Sequence, residues 1–231
     1  MATQKLSFCK FKPLQPINLE EYADKLQKTS NDNEKFIIND YTDLWLDGYY
    51  VIEYVKNETK YNFIETKIEI VPVTVTSVAK FSIDLKNNFM DIWGNKNIAL
   101  KLITALSLSM HNEVIIESIT TDIKEAINLA LLESDANIVR VKIEDIIIDN
   151  GIVANCSVNL SGQENFSELL KKYIKNISQV TLSVYDEEPE NQISFTIYSS
   201  GAVVVYKNKE EIEDNALEII KRICFPSGRV K

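Results

Sequence analysis

Two stretches of the chain share one pattern: Phe81-Ser-Ile-Asp-Leu-Lys-Asn-Asn-Phe-Met-Asp-Ile-Trp-Gly94 and Phe195-Thr-Ile-Tyr-Ser-Ser-Gly-Ala-Val-Val-Val-Tyr206. Each contains an apolar run, a turn of Asn or Gly, a second apolar run and then an amphipathic stretch. Both turns use residue types that tolerate positive φ, as tight hairpin turns require. Each stretch therefore predicts a strand, a tight turn, a strand and a helix.

The two stretches align at a nearly constant offset. Phe81 falls on Phe195 and Asn87 falls on Gly201 at an offset of 114 residues. The second copy has three additional residues before its helix. When the alignment allows for them, the apolar positions of the two helices also coincide. These positions are Ala99, Leu102, Ile103 and Leu106 in the first helix and Ala216, Ile219, Ile220 and Ile223 in the second. The pattern indicates an internal duplication.

The beginning of each half is also similar. Alternation from Leu6 to Phe11 predicts a strand. Asn18 begins a helix with the spacing of a capping box and with an apolar stripe from Leu19 to Leu26. In the second half, residues 152–160 predict a strand and Ser161 begins a helix with an apolar stripe that extends to Ile177. Asn95 is predicted to cap the helix that follows the first stretch, and Asn208 is predicted to cap the last helix.

These elements define three segments: a first half over residues 1–111, a strand–helix–strand insert over 112–150, and a second half over 151–231. The predicted fold class is α+β, with two similar halves, each an antiparallel sheet that carries two helices on one face. We expect the two sheets to join into a curved saddle.

The middle of the first half predicts a hairpin. The strands run from Tyr49 to Val55 and from Tyr61 to Ile70, around a polar turn at residues 56–59. Pro72 predicts a bend or bulge because proline cannot donate to a strand ladder. A further strand follows from Val73 to Leu85.

The stretch from Ile193 to Tyr206, with the helix up to Ile223, resembles the end of a repeat in the TATA-box-binding-protein family. In that family each half contains an apolar strand, an aromatic residue, Ser-Ser-Gly, a second apolar strand and a helix. The match here is Tyr198-Ser-Ser-Gly201, and the looser element order covers most of the chain. The resemblance implies a duplicated saddle with a free concave sheet face. The family's paired phenylalanine wedges, which kink DNA, have no assignable counterparts, so we carry over the fold and not the DNA-binding residues.

Composition favours a globular protein with an acidic second half. The formal net charge is −9. Residues 1–111 hold 13 basic and 14 acidic side chains, whereas residues 112–231 hold 12 and 20. Two acidic clusters, 187–190 and 210–214, predict a solvated surface or a patch for a basic partner. Nucleic-acid binding relies on clustered cations, so this balance counts against it.

No catalytic or metal-binding set is recognisable. His111 is the only histidine, at a predicted helix end, and Cys9, Cys156 and Cys224 are widely spaced. Asp40, Asp43 and Asp47 do not follow the spacing of a calcium loop. We therefore expect no enzyme activity and no cofactor. The odd number of cysteines, the absence of a signal-peptide pattern and the absence of a long apolar run predict a cytoplasmic protein without membrane insertion.

The candidate partner-binding residues are aromatic and basic. Tyr50 and Tyr54 are predicted on one strand face, where exposed rings suit a protein interface or base stacking. The candidate lysines at the rims of the sheet are Lys80, Lys86, Lys96, Lys101 and Lys207. We expect a non-enzymatic subunit that binds another protein within a larger complex, for example in bacterial defence or regulation. The alternative is a nucleic-acid-binding protein that uses the concave sheet.

Overall fold

The computed structural model describes residues 3–111, 113–149, 151–163, 166–185 and 192–225. Within these residues the architecture is α+β, with open antiparallel sheet structure and five helices. The strands are β1 (Gln4–Pro13), β2 (Glu34–Tyr41), β3 (Trp45–Asn62), β4 (Lys67–Asp84), β5 (Phe89–Trp93), β6 (Val114–Ile119), β7 (Ala136–Asp149), β8 (Ile152–Asn159), β9 (Ile177–Tyr185), β10 (Gln192–Tyr198) and β11 (Val203–Val205). The helices are α1 (Leu19–Thr29), α2 (Lys96–Ser109), α3 (Ile123–Ala130), α4 (Ser167–Tyr173) and α5 (Asp214–Cys224).

The chain forms two compact units. The N-terminal unit is Cys9–Glu117, and the C-terminal unit comprises the residues up to Phe8 together with those from Ser118 onward. This division differs from the predicted segments at 112–150. The second strand expected in that insert, β7, pairs with both β8 and β9, so it lies inside the sheet of the C-terminal unit.

In the N-terminal unit, the strand order is β2-β3-β4-β5-β1. The predicted stripe of α1 is buried in one core together with α2 and the inward side chains of the strands. Asn18 and Asn95 cap these helices as predicted, because each side-chain Oδ1 accepts hydrogen bonds from two amides of the first turn. Capping satisfies amides that have no partner within the helix.

In the C-terminal unit, the strand order is β1-β11-β10-β9-β7-β8. α3 and α5 pack against each other and against β9. The turn between β10 and β11 contains Gly201 at φ +77°, which confirms the predicted need for a residue that tolerates positive φ. The inward residues of β10 are fully buried, as their spacing of two predicts.

The predicted hairpin turn at residues 56–59 is wrong. β3 continues through these residues, which pair with β4 from Thr59↔Ile70 to Lys56↔Val73, and the turn lies at residues 63–66. The β3–β4 register has no shift at Pro72, so the expected bulge is absent there. Polar residues do not mark a turn here, because this part of the hairpin exposes both of its faces to water.

Two helix predictions also need correction. α4 ends at Tyr173, and Ile177 already belongs to β9, where it pairs with Ile143. Asn208 does not cap the last helix, because a short 3-10 turn at residues 209–211 follows it and α5 begins at Asp214. The Asn208 Nδ2 instead donates to the Glu211 Oε1 at 2.7 Å. The acidic turn at 186–190 and the capping-box residue Glu164 lie outside the described residues.

Candidate functional site

The most exposed regular element of the N-terminal unit is the outer part of the β3–β4 hairpin. β2 pairs with β3 only as far as Ile52, and β5 pairs with β4 only from Lys80. Beyond these points the two strands pair with each other through ten residue pairs, from Glu53↔Thr76 to Asn62↔Lys67. We call this segment, residues 53–76, the arm. Ten residues of strand span about 33 Å.

One face of the arm carries exposed apolar side chains among polar ones, which include Asn57, Thr74 and Thr76. Ile68 and Ile70 on β4 are each 71% exposed, and they pair with Tyr61 and Thr59 on β3. Val55 and Pro72 lie farther along the same face and are also exposed. Glu53 is the charged residue at the base of this face. Exposed apolar patches of this kind mark interaction sites, because water is a poor solvent for them.

The opposite face of the arm carries a ladder of ion pairs. The Glu58 carboxylate lies 4.0 Å from both the Lys56 and the Lys60 ammonium groups, and the Lys67 Nζ lies 3.0 Å from the Glu69 Oε1. Each of these lysines therefore has a carboxylate neighbour. Exposed ion pairs stabilise only weakly, and the half-buried Val71, Val73 and Val75 lie beside them on the same face.

The tip of the arm is an ordered apolar turn. Phe63 is 84% exposed and Ile64 is 94% exposed. The Asn62 Oδ1 accepts hydrogen bonds from the amides of Ile64 and Glu65, at 3.0 and 3.2 Å. The Phe63 ring also meets the Tyr61 ring edge to face, with centroids 4.9 Å apart. These contacts hold the two apolar side chains at the end of the arm rather than in a core.

The base of the arm adjoins an open groove beside α2. Tyr54 is 40% exposed, and the Lys101 Nζ lies 5.2 Å from the centroid of its ring. The groove has a volume of about 310 Å³ and is lined by Glu34 and by the outward side of α2, including Leu100 and Leu108. The structure thus places two predicted candidates, Tyr54 and Lys101, in direct contact.

Tyr50 does not belong to this surface. Its side chain is fully buried against Phe36, and its hydroxyl donates to the Glu34 Oε1 at 2.6 Å. Burial raises the pKa of the Tyr50 phenol, and the hydrogen bond to Glu34 raises it further. The prediction of Tyr50 as a partner contact is corrected for this reason: the shared strand face turns inward at Tyr50 and outward at Tyr54.

The candidate lysines of the N-terminal unit lie at separate places, and the fifth, Lys207, belongs to the C-terminal unit. Lys80 lies within 3.8 Å of the Asp47 carboxylate and 5.4 Å from the centroid of the Tyr49 ring. Lys80 pairs with Trp93 at the C-terminal end of β5, and Lys96 begins α2 just after that end. Lys86 lies in the turn before the N-terminal end of β5. Lys207 follows β11 in the C-terminal unit and is half-buried.

The face of β9 and β10 opposite Leu182 and Phe195 carries hydroxyl groups. The Thr181 and Thr196 hydroxyls lie 2.9 Å apart, and the Thr196 hydroxyl lies 3.0 Å from that of Tyr206. Burial raises the pKa of the nearby Tyr198 phenol, and Tyr206 adds to the shift. The cross-strand row that contains these threonines also contains two cations. Arg140 pairs with Thr181, and Lys5 pairs with Val204, which in turn pairs with Thr196.

Among the described residues, no three or more His, Cys, Asp and Glu side chains lie close enough together to hold a metal ion. Asp47 accepts a hydrogen bond from the Asn39 amide and faces Lys80, so its carboxylate has protein partners. His111 follows the end of α2 at φ +49° and is exposed. Cys9 and Cys224 are buried, and Cys156 is half-buried.

Sequence reasoning missed the apolar face and tip of the arm. The signal was present in the alternation of Ile68 and Ile70 with charged residues, but a strand face is either core or exposed according to its neighbours. Among the described residues, the longest helices remain too short or too polar to cross a bilayer. The chain matches no protein-family model and no curated protein sequence.

Proposed function

We propose that this chain is a non-enzymatic subunit that binds another protein through the arm. The observation that carries the proposal is the arm's exposed apolar face, which continues into the exposed tip at Phe63 and Ile64. A two-stranded ribbon with one apolar face gains free energy when that face is covered. Edge strands that project beyond a sheet also present unpaired backbone groups to a partner.

Several features favour a protein partner over a nucleic acid. The lysines of the arm lie next to Glu58 and Glu69 on the ladder face, so their charge is locally balanced. The candidate lysines elsewhere are divided between two ends of β5 and the C-terminal unit. Phosphate binding depends on several cations that track one backbone, and an apolar arm offers no such track.

The connectivity supports a duplicated fold of the kind that the TATA-box-binding-protein family has. The N-terminal unit follows the order β1-α1-β2-β3-β4-β5-α2. The chain from β6 onward follows the order β6-α3-β7-β9-β10-β11-α5 if β8 and α4 are treated as an insertion. In this register β4 corresponds to β10, which agrees with the offset that aligns Phe81 with Phe195. The duplication then places the insertion at residues 152–173 instead of 112–150.

The test is affinity purification of the full chain from a lysate of its natural source. Three forms are compared: the native chain, the double variant Ile68→Glu with Ile70→Glu, and the control Lys56→Gln with Lys60→Gln. Both variants make the net charge more negative by two, but only the first changes the apolar face. We expect a specific protein to be retained by the native chain and the control and lost by the apolar-face variant.

Two results would overturn the proposal. One is that the apolar-face variant retains the same proteins as the native chain. The other is that no protein is retained by any form while the native chain shifts duplex DNA at low salt, because the nucleic-acid alternative would then explain the fold better. Circular dichroism of each variant verifies that it is folded.

A further inference from the structure

Strand β8 forms an edge of the sheet in the C-terminal unit. It pairs with β7 along one side, and no described strand pairs with its other side. The Leu160 amide donates to the Val139 carbonyl at 2.8 Å, so these two residues continue the ladder as a hydrogen-bonded pair. Because such pairs alternate along an antiparallel ladder, the backbone groups of Val158 point toward β7, whereas those of Ser157 and Asn159 point away from it. The free side of β8 therefore presents backbone donors and acceptors to a further strand.

This edge lacks the usual protection against strand addition. Natural edge strands carry charged side chains, proline or a bulge, each of which hinders pairing with another chain. β2, at the edge of the N-terminal unit, contains Glu34, Lys35 and Asp40. It also has a bulge after Ile38. β8 contains no charged residue and no proline, and the extra residues at its two register shifts lie on β7. Strand addition is therefore less hindered at β8 than at β2.

One row of side chains on β8 is apolar and partly exposed. Cys156 and Val158 are half-buried, and they pair with Ile143 and Val141, which are fully buried. The apolar layer of the sheet thus continues as far as β8 and ends there in contact with water. A further strand with apolar side chains on this face would cover Cys156 and Val158, and this burial would favour its binding.

The other row of side chains on β8 is polar and lies beside a cation. Ser157 and Asn159 are exposed, and they pair with Lys142 and Arg140 on β7. The Lys142 Nζ lies 2.6 Å from the Glu144 Oε1, whereas no carboxylate of a described residue lies within 4.0 Å of the Arg140 guanidinium. Neighbouring strands are about 4.8 Å apart, so a residue added opposite Asn159 would lie about 10 Å from the Arg140 backbone. A glutamate side chain there can approach the long arginine side chain across Asn159.

We infer that β8 binds an extended segment of another protein, which adds to the sheet as an antiparallel strand. Its apolar side chains would lie opposite Cys156 and Val158, and a carboxylate would lie opposite Asn159. In strand addition, main-chain hydrogen bonds supply affinity and alternate side chains supply specificity. A second copy of β8 fits this edge less well, because it has no carboxylate to meet Arg140. The site belongs to the C-terminal unit and does not rest on the proposed function of the arm.

Fluorescence anisotropy of a labelled peptide tests the inference with the purified full chain. The peptide alternates valine with polar residues over about seven positions, a common strand length, and its central polar residue is glutamate. It is kept at trace concentration so that it does not self-associate. We expect saturable binding. A matched peptide with lysine in place of the glutamate should bind about two- to fivefold more weakly, as for the loss of an exposed charge pair.

Backbone methylation of the peptide tests the strand pairing itself. Residues that lie directly opposite each other share a face of the sheet, so the polar residues of the peptide lie opposite Ser157 and Asn159 and direct their amides toward β8. N-methyl groups on the polar residues should abolish binding. The same number of N-methyl groups on the valines, whose amides point away from β8, should preserve it.

Variants of the chain locate the bound peptide. The Ser157→Pro substitution removes a donor from the free side of β8 without removing a hydrogen bond to β7, a position where strands accept proline. It should weaken binding by about tenfold, the equivalent of one hydrogen bond, whereas the control Ser157→Ala should bind like the native chain. Arg140→Gln should bind the glutamate and lysine peptides equally. The arm variant Ile68→Glu with Ile70→Glu should bind the glutamate peptide normally.

Several results would overturn the inference. These are no binding of the glutamate peptide, equal binding of the two N-methylated peptides, or normal binding by a folded Ser157→Pro variant. If circular dichroism shows that Ser157→Pro is unfolded, the N-methylated peptides test the same contact on the native chain. A dimer that Ser157→Pro abolishes, together with no peptide binding, would identify a second copy as the occupant. Loss of a lysate protein from the arm variant bears only on the proposed function, so the two failures can be distinguished.

Discussion

The turn at Gly201 gives a quantitative test of the C-terminal unit. Gly201 has φ +77°, and a Cβ atom at this position would lie 2.2 Å from the Thr120 Cγ2 and 3.0 Å from the Thr121 amide nitrogen. The Gly201→Ala substitution therefore brings two separate costs. One is the left-handed backbone, and the other is a clash with a segment that begins near the end of β6.

The expected loss of stability follows from these two costs. A left-handed backbone costs an alanine about 1–2 kcal/mol, and overpacking typically costs about 1–3 kcal/mol. Alanine also restricts the unfolded chain, which offsets about 0.4–1 kcal/mol. We therefore expect Gly201→Ala to lower the free energy of unfolding by roughly 2–4 kcal/mol.

The matched control is Gly151→Ala in the β7–β8 turn. Gly151 has φ +85°, but no described atom lies within 4 Å of the position of its Cβ, so only the backbone cost applies. Urea unfolding is followed by far-UV circular dichroism, because Trp45 and Trp93 both lie in the N-terminal unit. Equal losses for the two variants would refute the steric reasoning and the packing of residues 120–121 over the turn.

Three further predictions follow from local structure. Asn95→Ala should lower the free energy of unfolding by about 1 kcal/mol because it removes a helix cap, whereas Asn208→Ala should have a much smaller effect in the same urea titration. A thiol reagent should modify Cys156 before Cys9 and Cys224, which should react only after unfolding; simultaneous modification of all three would contradict the burial. Burial raises the pKa of the Cys224 thiol, so the folded chain retains a proton that the unfolded chain releases above pH about 8.5. Stability should therefore be constant below that pH and fall above it, by at most about 1.4 kcal/mol per pH unit from this group, and Cys224→Ala should remove this contribution.

Local side-chain chemistry determined several elements correctly. Asn18 and Asn95 cap helices as predicted. Such a cap can be predicted locally because the Asn side chain accepts hydrogen bonds from amides in the first turn of the helix that follows it. The stripe of α1 is buried because its apolar residues share one helical face. The turns at Asn88 and Gly201 also follow from residue type, since both have positive φ.

Patterns that extend beyond one element were less informative. The stripe after Phe166 predicted a helix up to Ile177, but Ile177 pairs in the sheet with Ile143. Apolar spacing cannot show where a helix ends when the next residues are also apolar. The Asn208 spacing suggested a cap, yet the chain forms a short 3-10 turn before α5. These outcomes depend on contacts with distant residues.

The two stretches around Phe81 and Phe195 were enough to predict α+β structure with hairpins and following helices. Alternation along β3 and β4 also determined which residues share a face, because successive side chains point to opposite sides. Only the tertiary structure decided that β2 and β5 stop short and leave residues 53–76 as an arm. The physical reason is that the same alternation of apolar side chains can face a core or face water. Which of the two occurs depends on whether neighbouring strands continue beside it.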